Sequence, residues 1–309
     1  MNTGFGYDYT TRTHLLVSDE DAADFLQSQF TNELRPVEAG RCTYGLWLNV
    51  KGKVIADSYV LCEGEEQFRL FSETSESAVV AETLENHIIA DDVVIESEPA
   101  LVGVAIVGNM VDSVLRELNL NSPQAGRFES AEGCVVFQGR RSRAGSVEVI
   151  CLSSVAAVRV RAVLSQLGVP MVSSAQMTAE RIEAGYPQVP IEVGPTDLPG
   201  EGGLELDSVS FTKGCYLGQE VVARMHNLGR PQRTLFVVSG EGVVPECPLA
   251  LYNGEAKKVG ELRTAVARAD GWVGAAMLKH RFAKVGDRLV SDLCELLVER
   301  AFRGGGGDL

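Results

Sequence analysis

A chain of 309 residues, 45% hydrophobic and 23% charged, holds material for about two domains, or three small ones, with ordinary cores. Its net charge, 28 − 42 = −14, opposes bulk binding to nucleic acid or to an anionic membrane, and no apolar run reaches the roughly 18 residues of a membrane helix. The N-terminal "MNTGFGYDYTTRTHLL" carries neither a basic-then-apolar signal peptide nor an Arg-rich transit helix, so the expected location is the cytoplasm.

Helix and strand signals alternate in a mixed order. Ser18 is read as the cap of a helix through Ala22, Phe25, Leu26 and Phe30, with Asp21 in the capping-box position. "YGLWLNVKGKVIADSYVL" reads as two strands joined by a tight turn at Lys51-Gly52-Lys53, and "EQFRLFS" as a third. A helix is expected over residues 75–87, then strands at "DVVIES" and "LVGVAIVG", then a helix capped by Asn109. "GCVVFQG" and "SVEVICL" form a hairpin. The next helix, "SSVAAVRVRAVLSQLG", stops at Gly168, and another over residues 174–184 stops at Gly185. Residues 186–203 hold four prolines and four glycines, which predicts a long irregular crossing. Beyond Pro231, short strands between glycine turns predict a small β-barrel.

The seven cysteines form no C-x-x-C pair and sit largely in strand-like runs, the pattern of reduced, buried thiols. The four histidines lack ligand spacing, so no metal bound by the protein alone is expected. "GRRSRAG" (residues 139–145) reads as a solvated hairpin loop able to grip an anion. No Walker loop, complete dinucleotide fingerprint or G-x-S-x-G elbow is present.

One stretch departs from this ordinary pattern: "SFTKGCYLGQEVVAR", residues 210–224. Cys215 lies two residues from Lys213, between Gly214 and Gly218, where a cation beside an open thiol favours the thiolate. A small apolar filler at a domain junction fits the same residues. Glu220 opposes thiolate formation if it points inward. "GQEVVARM" suits a short helix whose N-terminal N–H groups face a ligand or water, and Gln219 can both donate and accept.

"FTKGCYLGQEVVAR" is similar to the K-G-C-[FY]-x-G-Q-E signature of the YgfZ-type folate-binding proteins, relatives of the aminomethyltransferase (T-protein) of the glycine cleavage system. "FLQSQFTNEL", "LNVKGKVIADSYVL", "ERIEAGYPQVPIE" and "VGELRTAV…GWVGAAMLKH" agree in order and spacing, so the resemblance spans nearly the whole chain. It implies an α+β, three-part T-protein-like ring around a central hole. The first domain would be discontinuous (1–49 and 133–229), with a ferredoxin-like domain inserted (50–132) and a C-terminal β-barrel (230–309) ending in a flexible glycine-rich tail. Tetrahydrofolate or a one-carbon derivative would bind in the hole.

The resemblance also implies a role supporting iron–sulfur enzymes or their assembly factors and, indirectly, tRNA modification. It makes Cys215 and Lys213 the reactive pair, and Arg181, Gly214, Tyr216, Gly218, Gln219 and Glu220 the folate-binding set. Arg181 would pair with the glutamate carboxylate of folate; a helix-surface arginine is the plainer reading of the same residue. Glycine-cleavage T-proteins carry an aspartate in an N-A-x-x-x-x-K-D pattern. Here Ala78 or Val79 falls at that position, with Glu73 and Glu76 out of register, which argues against aminomethyltransferase activity. The expectation is therefore a folate-binding accessory protein rather than an enzyme. A folate-dependent aminomethyltransferase or demethylase and a scaffold without folate stand as alternatives. Direct contact with nucleic acid or membrane is not expected.

Overall fold

The computed structural model describes residues 4–229 and 231–302. Two five-stranded sheets and a closed six-stranded barrel make up its β-structure. The first sheet runs in the order Phe5–Thr10, Val102–Val107, Ser146–Cys151, Cys134–Gln138, Phe128–Ala131, so its strands come from distant parts of the chain. The second runs Arg41–Leu48, Val54–Gly64, Gln67–Ser72, Thr13–Ser18, Val94–Ser97. All recorded strand pairs in both are antiparallel.

Period-two alternation explains why these strands are apolar on both faces. Cys134, Val136 and Val149 pack under the helices Val111–Glu117 and Ser154–Gln166, while Val135, Phe137 and Ile150 point the other way. There they meet Cys42, Leu61 and Phe71 of the second sheet. That sheet turns Val60, Cys62 and Leu70 outward, under the helices Ala22–Gln29 and Ser77–Glu85. Two sheets stacked face to face, each with helices on its outer side, form a four-layer body.

Most local expectations match. Gly52 takes φ 68 in the turn before Val54–Gly64. Ser153 caps Ser154–Gln166, and Ser173 forms a capping box on Ser174–Ala184, which Gly185 ends with φ 82. Two caps differ. Ser18 ends the strand Thr13–Ser18, and Ala22–Gln29 starts after Asp21 without a side-chain cap. Asn109 lies inside a 3-10 turn, where its Oδ1 accepts the Gly4 N–H at 3.0 Å, so its amide ties down the N-terminal segment instead of a helix. The boundary expected at residue 50 falls in the turn between Arg41–Leu48 and Val54–Gly64, which pair directly within one sheet.

The barrel closes Arg233–Gly240 against both Gly271–Lys279 and Glu295–Ala301 around Phe236, Leu262, Trp272 and Val298. It docks on the irregular crossing through Asp197, whose carboxylate takes Arg263 at 2.5 Å and Arg233 at 3.0 Å. Among the described residues no helix is long and apolar enough to cross a membrane.

Candidate functional site

A cavity of about 190 Å³ opens between the two sheets and is covered on one side by the helix Ser174–Ala184. The first sheet supplies Tyr7, Tyr9, Phe137 and Glu148, and the loop after Phe137 supplies Arg140 and Arg141. From the second come Tyr44, Asp57, Tyr59 and Phe71, followed by Glu73. No barrel residue is among its lining residues.

Its polar groups form two hydrogen-bonded clusters, one on Arg141 and one on Asp57. Arg141 donates from Nε and Nη2 to Glu148 at 2.8 and 3.0 Å, and from Nη1 to Glu73 at 2.6 Å. The Tyr9 hydroxyl donates to Glu148 at 2.7 Å and the Tyr7 hydroxyl to Glu73 at 2.9 Å. Arg141 thus joins a carboxylate of one sheet to a carboxylate carried by the other. Asp57 accepts from Ser72 and Ser75 on Oδ1 (2.9 and 2.6 Å) and from Tyr44 on Oδ2 (2.8 Å). Burial raises its pKa above the usual carboxylate value, and these three donors only partly offset that. Burial also pushes the Tyr9, Tyr44 and Tyr59 hydroxyls well up, so they stay neutral, and Tyr9 and Tyr44 donate.

Arg140 lies over the Tyr44 ring at 3.8 Å and grips Asp207 with two hydrogen bonds of 2.9 and 3.0 Å. The "GRRSRAG" cluster is therefore not a solvated loop at its start: Arg141 is buried, and both arginines line the cavity.

The residues singled out in the sequence divide. Arg181 lines the cavity, but its guanidinium is bidentate on buried Glu192 (2.7 and 2.8 Å) and also reaches the Tyr186 carbonyl at 2.6 Å. An arginine so matched is held in place and neutralised. None of Lys213, Gly214, Cys215, Tyr216, Gly218, Gln219 and Glu220 is among the lining residues. Cys215 is exposed on its loop. Lys213 turns inward, and its Nζ donates to the carbonyls of Gln27, Phe30 and Asn32 at 2.8, 2.7 and 2.9 Å. Burial pulls its pKa down to about 8, with the Glu33 charge opposing the shift. Tyr216 is buried, with its hydroxyl raised to about 12 by burial.

Ala78 and Val79 are exposed near the start of Ser77–Glu85, while Glu73 faces the cavity. A missing aspartate in the sequence pattern does not leave the cavity without a carboxylate, because Asp57, Glu73 and Glu148 all line it. The signals for this wall were Tyr7 and Tyr9 at a spacing of two, and Glu148 alone in the apolar run "SVEVICL". A charge on a strand buried on both faces requires a partner.

Two sheets stacked over a polar cavity, with a barrel appended, define the architecture of the glycine-cleavage T-protein. The chain superposes on the glycine cleavage system aminomethyltransferase T from Bartonella henselae with a TM-score of 0.81, covering 97% of this chain and 88% of that one at 16% identity. A family model described as the GCVT N-terminal domain matches residues 3–213, and the chain belongs to that family. Within it, the chain is 29% identical over 298 residues to the mitochondrial iron–sulfur cluster assembly factor IBA57 of Mus musculus, covering 88% of this chain and 77% of that protein. It is 25% identical over 229 residues to the tRNA-modifying protein YgfZ of Colwellia psychrerythraea, covering 73% and 68%.

Proposed function

We propose that this protein is a cytoplasmic folate-binding accessory factor for iron–sulfur enzymes, acting on tRNA modification through them, with the pterin ring held between the two sheets. The observation that carries this reading is the cavity's chemistry. Tyr and Phe rings supply flat walls, three carboxylates suit the amino and ring N–H donors of a pterin, and Arg140 and Arg141 suit its carbonyl. Each carboxylate, though already bonded within the protein, keeps acceptor capacity, since an ionised carboxyl offers about four lone-pair sites. A volume of about 190 Å³ lies below the roughly 300–1,000 Å³ of pockets that enclose a whole drug-sized ligand. The ring would be enclosed and the glutamate tail left outside, a task for which Arg181, matched to Glu192, is poorly placed. The names of the IBA57 and YgfZ relatives supply the iron–sulfur and tRNA part of the reading.

Cys215 then serves separately, as an exposed thiol offered to a partner protein rather than to the ring. Equilibrium binding of tetrahydrofolate tests both parts. Cys215→Ala is expected to bind like the wild type and to lose cellular function. Thr178→Trp, which fills the cavity's helix side, is expected to weaken binding by about tenfold or more. A wild-type chain that does not bind tetrahydrofolate at all favours the scaffold. Glu73 and Asp57 at the cavity give a second reading, a folate-dependent one-carbon transferase, because a carboxylate beside the ring can manage a proton. Turnover of a methylene or methyl donor with tetrahydrofolate, lost in Glu73→Gln, would establish it.

A further inference from the structure

A second cavity, of about 460 Å³, lies where the hairpin turn, the irregular crossing, the helix Gln219–Leu228 and the start of the barrel meet. It shares no lining residue with the first. Lys53 comes from the turn, Leu198 and Glu201 from the crossing, Arg224 and Met225 from the helix, and Arg233 from the barrel. The one carboxylate among them is paired with a cation of the same wall. Glu201 takes Arg233 through Nε and Nη2 at 2.9 and 3.0 Å, and the Leu198 N–H at 2.8 Å. Arg233 is in turn shared with Asp197 at 3.0 Å.

Lys53 and Arg224 differ. Among the described residues neither side chain makes an ion pair or a hydrogen bond, although Glu220 lies one helical turn before Arg224. Lys53 is half-buried on a turn that Asn49 fixes, its Oδ1 accepting the N–H groups of Lys51 and Lys53 at 2.9 and 3.1 Å. In a chain of net charge −14, where most arginines are matched to carboxylates, two unmatched cations around one concavity make a local positive field. Leu198 and Met225 give the same concavity an apolar wall.

We propose that this cavity binds an organic anion, with its phosphate or carboxylate between Lys53 and Arg224 and its carbon skeleton against Leu198 and Met225. The test titrates phenyl phosphate, benzoate and neutral benzyl alcohol into the full-length chain by calorimetry. Saturable binding of an anion is expected, weakening as salt is added. Lys53→Gln and Arg224→Gln should each weaken it about threefold, and the double variant about tenfold, with an unchanged melting temperature. A preference for phenyl phosphate points to a phosphate ester, and a preference for benzoate to a carboxylic acid. Thr178→Trp should leave anion binding intact, and the double variant should leave tetrahydrofolate binding intact, which keeps this site distinct from the folate reading. The proposal is overturned if neither anion saturates, if benzyl alcohol binds as well, or if the double variant binds undiminished.

Discussion

Lys213 sends its ammonium into the protein, where the carbonyls of Gln27, Phe30 and Asn32 occupy its three donors. Its sequence position beside Cys215 suggested a cation for the thiol; its geometry makes it the pin that holds the thiol's loop to the end of Ala22–Gln29. Lys213→Met keeps the stem but leaves three inward carbonyls without that donor. It should cost about 2–3 kcal/mol, read as a shift of the urea midpoint at constant slope. Sequence proximity cannot separate these two roles, because a four-carbon stem reaches equally well toward a neighbour in the chain or a carbonyl 186 positions away. Tyr7, Tyr9 and Glu148 were legible only as a rhythm of two and as a charge in an apolar run; their convergence on Arg141 required the fold.

Two glycines decide how the helix Gln219–Leu228 meets the hairpin. Gly218 adopts φ 79, and a Cβ there would lie 2.6 Å from the Asn49 carbonyl oxygen and 2.9 Å from the Gly52 Cα. Backbone cannot yield as a flexible side chain does, and a left-handed φ adds its own penalty for any residue with a Cβ. Gly218→Ala should therefore destabilise by more than about 1 kcal/mol, measured by thermal unfolding, and should disturb the loop carrying Cys215. This gives the signature glycine a packing reason that needs no ligand. Helices and strands were largely readable from periodicity and terminal glycines. Caps were less so, because Ser18 and Asn109 have the side chains of caps but sit at a strand end and in a 3-10 turn.

At the scale of the molecule, the barrel was legible from its turn spacing, but the stacking of two sheets was not. Alternation shows that both faces of "GCVVFQG" are apolar without saying what covers each. The barrel is attached through an apolar cluster in which Leu235, Val273 and Met277 meet Ile182 and Val193, and through an ionic cluster on Asp197. Burial opposes ionisation there, but Arg263, the Gly194 N–H and Arg233 outweigh it and hold the carboxyl below 3.8. A depressed carboxylate contributes stability that is present above its unfolded value and lost as pH falls through the folded one. Asp197→Asn should cost about 3–5 kcal/mol at neutral pH, and the gap from the wild type should narrow as the pH drops below 3.8, followed by melting temperature across that range.

Arg140 also has a reach beyond its own neighbourhood. The guanidinium resting on the Tyr44 ring at the cavity wall is the one that clasps Asp207. The Asn32 side-chain amide donates to the backbone carbonyls of both Tyr44 and Asp207 (2.9 and 3.1 Å), while the Asn32 backbone carbonyl receives Lys213. The cavity wall at Tyr44 and the loop that carries exposed Cys215 are thus fastened to a common brace built on Asn32.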